Sequence, residues 1–287
     1  MKKFIKHIVI FFLLVLVVFA FSGTFNYFQL KNTPSLGDTE TLIVGDSRVM
    51  TAINPELIPN SKNIAQNSES YIISYYKLKF LLKNNTKVKK VILSFSYPSF
   101  SAYLDGIFKD DIATADVFGR IYPIMKPNDF GSLEIDKFKY YKVLFKQMFV
   151  YPHTNHYQYM GGFTRLKYGL DKADLEGVVQ RHYFDKDSNN IGISSCASQY
   201  LDSIVELTKQ NNIKLILVNI PFQKKYLEKV PSNFIEYYNL QKSRMLEKVV
   251  TVLDYGQIEL PDTYFKDYNH LDLEGANYFT EMLKKDF

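Results

Sequence analysis

Five short runs of aliphatic residues, spaced by segments with apolar residues at helical intervals, constrain this chain more tightly than any other feature. The runs cover 41–45, 62–65, 89–95, 213–219 and 250–254. Between and after them, helical spacing predicts helices over 69–83, 195–211, 233–248 and 273–284, with a helix or helix plus turn over 48–58 stopped by Pro59. Apolar on both faces, such strands belong in a parallel sheet covered by helices on either side. The expected fold is therefore a three-layer α/β/α, flavodoxin-like sheet of five parallel strands. A sheet of this kind binds its ligands beyond the carboxyl ends of its strands.

The segment 101–190 fits no such alternation and reads as a largely helical insertion or lid beside the site, rich in Tyr and His. An excursion of that length inside a compact domain has structure or function of its own. The rest of the chain, 41–287, is one domain. With 46% hydrophobic residues there is enough apolar material for a large core.

Ahead of the domain, Lys2, Lys3 and Lys6 precede an unbroken apolar run over 8–21. A cationic flank followed by a hydrophobic stretch is the order of a signal peptide or signal anchor. Residues 1–28 read as an uncleaved transmembrane anchor, with 29–40 a polar linker; the alternative is cleavage after Ala20 and secretion. Positive residues stay on the cytoplasmic side, which places the domain outside a single-pass membrane anchor. The net charge of +5 is spread along the chain and no nucleic-acid motif is present, so no nucleic-acid partner is expected. The single Cys196 makes no intramolecular disulfide.

Gly45-Asp46-Ser47 follows the first strand, where Gly permits a tight exit and a serine hydroxyl stands at the binding edge of the sheet. By itself the tripeptide reads first as an ordinary turn with a helix N-cap, which Asp and Ser serve well. The second element lies near the C-terminus, where Asp267-Tyr268-Asn269-His270 precedes the last helix. A hydroxyl becomes a nucleophile when an adjacent base takes its proton. His270 can act as that base, and Asp267 can fix its tautomer and stabilise the imidazolium. Asp46 reads as a structural residue of the nucleophile turn. Arg48 and the insertion tyrosines Tyr151 and Tyr157 are candidates for substrate binding. His153, His156 and His182 match no strong metal-ligand spacing, so no metal or other cofactor is expected.

With these residues the chain resembles the SGNH/GDSL hydrolases, over roughly 41–100 and 195–285. Gly45-Asp46-Ser47 matches the first block of that family and Asp267 with His270 the last. The resemblance implies acyl-ester chemistry through a serine acyl-enzyme. The second block supplies a backbone donor to the oxyanion hole from the loop after strand two, commonly at Gly; here Ser68 stands at that position. The hole would then be formed by the Ser47 and Ser68 amides. The third block supplies an Asn side chain after strand three. This chain reads Ser94-Phe95-Ser96-Tyr97-Pro98 instead, leaving Ser96 or Tyr97 as the substitute donor.

Gly45-Asp-Ser-Arg48, Asn67-Ser-Glu-Ser-Tyr71, Tyr76-Lys-Leu-Lys79 and Asn269-His-Leu271 look like anchored bacterial members associated with surface glycans. The expected function is an extracytoplasmic serine esterase or O-acyltransferase acting on acyl esters, acetyl above all, of a cell-surface polysaccharide. The alternative is a catalytically weak glycan-binding or assembly protein of the cell envelope.

Overall fold

The computed structural model describes every residue except 32–33, 110–112, 132, 151, 154 and 168–174. The chain divides into two compact units, Ser35–Gly106 with Met160–Phe287, and Met1–Pro34 with Ile107–Tyr159. The first holds the sheet.

Its five strands are β1 (Thr41–Val44), β2 (Ser61–Asn63), β3 (Lys90–Ser94), β4 (Lys214–Asn219) and β5 (Thr251–Asp254). They lie in the order β2-β1-β3-β4-β5 and every pair is parallel. Ile43 of β1 pairs with Ile92 of β3, and Ile92 pairs with Ile216 of β4, so one apolar row crosses the middle of the sheet. Among the described residues the helices of this unit are α2 (Ser47–Ala52), α3 (Tyr71–Leu81), α4 (Tyr103–Gly106), α7 (Leu175–Tyr183), α8 (Ala197–Gln210), α9 (Lys224–Leu227), α10 (Ser232–Glu247) and α11 (Leu273–Leu283). The α/β fold expected from the strand pattern is the one observed.

Alternation along each strand sends side chains to opposite layers. Ile43, Ile92, Ile216 and Val218 meet Val49 and Ala52 of α2 and Phe279 and Leu283 of α11 in one buried cluster. On the other layer α3 packs on α8, and α8 on β4. A fully buried Val, Leu, Ile or Phe contributes about 1.5–3 kcal/mol of transfer free energy, and the buried cluster against α2 and α11 is built largely of such side chains.

The strand order reverses at β1, with β2 on one side and β3 on the other, so the crevice of this topology opens beyond Val44. The exit from β1 depends on Gly45, which has φ +127 and lies against β3. A Cβ at this position would stand 2.5 Å from the Cβ of Ser94.

The second unit contains α1 (Lys2–Lys31), α5 (Ala113–Ile121) and α6 (Lys137–Phe145), which continues as a π-helical turn, Lys146–Val150. Phe108, Phe118, Phe130 and Tyr140 form its aromatic core through edge contacts. By length and composition α1 is able to cross a membrane. It runs through Lys31, into the segment read from sequence as linker, and 107–159 groups with α1 while 101–106 and 160–190 group with the sheet.

Gly45→Ala combines a forbidden φ with a backbone clash, so it is expected to lower stability by about 2–3 kcal/mol. Urea unfolding of the two proteins measures this.

Candidate active site

Ser47 opens α2 directly beyond β1. Asp46 is its N-cap: the carboxylate accepts from Arg48 N at 3.1 Å and Ser94 Oγ at 2.9 Å, with Ser99 Oγ at 3.5 Å. These bonds tie the nucleophile turn to β3 and to the loop that follows it, as expected of a structural aspartate.

Asp267 and His270 sit on the loop between β5 and α11. The Asp267 carboxylate accepts from the backbone N–H groups of Asn269 (3.0 Å) and His270 (2.9 Å), which folds the loop back on itself. His270 Nδ1 lies 2.9 Å from Asp267 Oδ2 and 3.1 Å from Oδ1. His270 Nε2 lies 2.8 Å from Ser47 Oγ. With Nδ1–H donating to the carboxylate, the Nε2 lone pair faces the serine hydroxyl and accepts its proton. Burial pushes the Asp267 carboxyl up, but the hydrogen bond and charge of His270 and the two backbone N–H groups outweigh it and hold the group below its ordinary value. The carboxylate is thus ionised at neutral pH. A serine and an Asp–His pair, with 223 positions between Ser47 and His270, are brought into one hydrogen-bonded line, the arrangement that activates a serine for attack on an acyl carbon.

Ser68 follows β2 with φ +53. A left-handed backbone is the natural place of glycine, which is why an L-residue there costs about 1–2 kcal/mol. The loop is braced from behind by the fully buried Lys77 and Glu69. Lys77 Nζ donates to Glu69 Oε2 and, at 2.7 Å, to the Ile64 carbonyl, while Glu69 Oε1 accepts from Ser74 Oγ at 2.7 Å. On its other side the loop is packed by Gly161, where a Cβ would meet the Ala65 carbonyl at 2.0 Å.

Two sequence expectations require correction, Arg48 as a substrate-binding residue and Ser96 or Tyr97 as an oxyanion donor. Arg48 is 2% exposed and does not face a ligand. Its Nε donates to the Asn269 carbonyl (3.3 Å), Nη1 to Asn219 Oδ1 (3.2 Å), and Nη2 to the carbonyls of Ile220 and Pro221 (3.2 Å to the latter). The guanidinium also lies 3.3 Å from the Phe222 ring centre. Burial lowers its pKa to about 10, so it keeps its charge. Arg48 is an internal tie between the β4 loop and the residue preceding His270. Ser96 is fully enclosed, its hydroxyl paired with Ser99 Oγ at 2.9 Å, and Tyr97 is packed between Phe222 and Tyr238. Both side chains are committed to the core and not free to donate to an oxyanion. Tyr157 lies in the unit that does not hold Ser47, and Tyr151 lies outside the described residues.

The histidines have other employment. His182 is buried beside Tyr103, with Nδ1 2.6 Å from Tyr226 Oη, and burial lowers its pKa to about 3. His156 Nδ1 bonds Tyr122 Oη in the other unit. Cys196 is buried, and burial with the charge of Asp105 pushes its thiol up to about 12, which leaves it unreactive.

Glu69, Lys77 and the tie made by Arg48 were not picked out from sequence as parts of the site. A Glu and a Lys eight residues apart at the start of a helix gave the one available signal. Strand order β2-β1-β3-β4-β5, a serine after β1 and an Asp–His pair before α11 now stand together. This agrees with the fold expected from the resemblance to the SGNH/GDSL hydrolases. The chain is similar to a protein described as an acylhydrolase from Bacteroides fragilis (11% identity, 90% of this chain and 91% of that one, TM-score 0.41). It is also similar to a GDSL-like lipase from Bacteroides thetaiotaomicron (10%, 93% and 97%, TM-score 0.42). A family model matches residues 175–287, under half of the chain, and no curated protein matches it.

Two outcomes follow. Ser68→Gly relieves the left-handed strain and is expected to raise stability by up to about 1 kcal/mol, seen as a higher urea midpoint. His182 has a folded pKa far below its ordinary 6.5, so its contribution to stability is complete above that value and lost as pH falls toward about 3. The drop in urea midpoint between neutral pH and about pH 5 should therefore be smaller in His182→Gln than in the parent.

Proposed function

We propose that the chain is a membrane-anchored, extracytoplasmic serine esterase or O-acyltransferase whose substrate is an acyl ester, acetyl above all, of a cell-surface glycan. The hydrogen-bonded line from Ser47 Oγ through His270 to Asp267 is the observation that carries this reading. Ser47 Oγ attacks the acyl carbonyl as its proton passes to His270 Nε2. The imidazolium is stabilised by Asp267, and the carbonyl oxygen gains negative charge against the Ser47 and Ser68 amides. The tetrahedral intermediate collapses as His270 returns the proton to the leaving alkoxide, leaving an acyl-serine. Water gives hydrolysis, and a sugar hydroxyl gives transfer, by the same steps in reverse.

The cationic flank and apolar length of α1 support an anchor with the domain outside. The glycan rests on the sequence resemblance to anchored bacterial proteins of the cell surface. A second reading, a catalytically weak glycan-binding or assembly protein, is favoured by one observation. Ser96 and Tyr97, the two candidates for the third oxyanion donor, are both enclosed, and such a donor is worth roughly 3 kcal/mol.

Hydrolysis of p-nitrophenyl acetate by the full chain in detergent or vesicles separates the two. The enzyme reading predicts turnover that is lost in Ser47→Ala and His270→Ala and falls about 10,000-fold in kcat in Asp267→Asn, with KM little changed. Background turnover equal in all four proteins supports the binding reading instead.

A further inference from the structure

Lys137–Val150 carries four lysines and no carboxylate. Its burial is the reverse of a soluble amphipathic helix. Tyr140 is buried, and Val143, Leu144, Gln147 and Met148 are half-buried against the rest of their unit. The outward stripe is Phe138, Tyr141, Phe145, Phe149 and Val150, spaced by about one helical turn and exposed by 81% at Phe138 and 39% at Phe149. Lys142 and Lys146 flank that stripe. An aromatic face bordered by lysines is unfavourable in water but suits a membrane interface, where the stems lie in the apolar layer and the ammonium groups reach the phosphates.

The same segment is sewn to α1. The Phe145 ring meets Phe19 edge-on at 5.8 Å. Gly23 admits the Phe149 ring so closely that a Cβ would stand 2.8 Å from it. Asn26 Nδ2 donates to the carbonyls of Gln147 (3.1 Å) and Met148 (2.9 Å), in the π-helical turn. Asn26 Oδ1 accepts from His153 N at 2.8 Å. A bilayer core of about 30 Å takes up about 20 helical residues. A span from residue 8 to 28 then puts Phe19, Gly23 and Asn26 in its outer half, so the side chains beside them enter the bilayer too.

We propose that Lys137–Val150 is a second membrane-embedded element, lying in the outer leaflet against α1 through Phe145 and Phe149, with the exposed part of its aromatic stripe facing phospholipid. The inference rests on the reading of α1 as a spanning anchor. Lipid is favoured over a protein partner because the stripe continues the exposed apolar surface of α1, and because lysines without a single carboxylate complement phosphate headgroups.

The chain has no Trp, so each introduced Trp is a sole reporter. Full-length Phe138→Trp, Phe145→Trp and, within α1, Phe12→Trp are reconstituted in vesicles of phosphatidylcholine and phosphatidylglycerol, with or without brominated acyl chains. The expected result is strong bromolipid quenching and a blue-shifted emission for all three. Quenching at Phe12→Trp alone, with the other two open to aqueous iodide, overturns the proposal and leaves the anchor standing. Positions 138 and 145 shielded from both iodide and bromolipid would mean a protein covers the stripe, which also overturns it. No quenching at any of the three removes the anchor reading and this inference with it.

Discussion

One buried guanidinium holds the two ends of the site together. Arg48 follows the nucleophile in sequence and donates to the carbonyl of Asn269, which precedes His270. Its remaining donors take the carbonyls of Ile220 and Pro221 and the side chain of Asn219, at the end of β4. A charge taken out of water is stable there because nearly all of its N–H groups are spent on oxygen and its face lies on Phe222. Gln223 N also donates to the Tyr268 carbonyl (3.2 Å), and Phe265 and Leu271 anchor the loop in the core, so Arg48 is one of several ties that set the distance from Ser47 Oγ to His270 Nε2. Removing one partner of such a buried set costs about 3–5 kcal/mol, which is the scale on which the site is held.

The other supports follow the same logic. Gly45 lets β1 end against β3 without a side chain between them, and Asp46 pins the turn to Ser94. Lys77 and Glu69 brace the loop that carries Ser68 in its left-handed conformation. Strain of this kind persists only where the surroundings over-determine it, and here a buried ion pair and a glycine contact do so. Gly45 and Asp46 act on the backbone at Ser47, and the Lys77–Glu69 pair with Gly161 acts on the neighbouring loop of Ser68.

Much of this was legible in the sequence. β1, β3 and β4 are continuous aliphatic runs, and only a strand buried on both faces has that character. β2 was the weakest strand because Ser61-Lys62-Asn63 is a three-residue edge strand with one buried side chain. Gly45-Asp46-Ser47 and Asp267 with His270 could be placed at one edge because each follows a strand of a parallel sheet. Arg48 was misread because a residue after a helix start normally faces solvent; here α2 is only six residues long and is overlaid by the β4 loop and the His270 loop. Ser96 and Tyr97 were misread because sequence gives the position after β3 but not the direction of the side chains. The insertion resisted because 107–159 groups with α1, through Gly23 and Asn26, two residues just beyond the apolar run.

The central claim is that Ser47 is a nucleophile made reactive by His270. Labelling of the intact chain with a fluorophosphonate, followed by peptide mapping, tests it most directly. The account predicts one adduct, on Ser47, which is lost in Ser47→Ala and strongly slowed in His270→Ala. An adduct on another residue, or labelling that persists unchanged in Ser47→Ala, would contradict it.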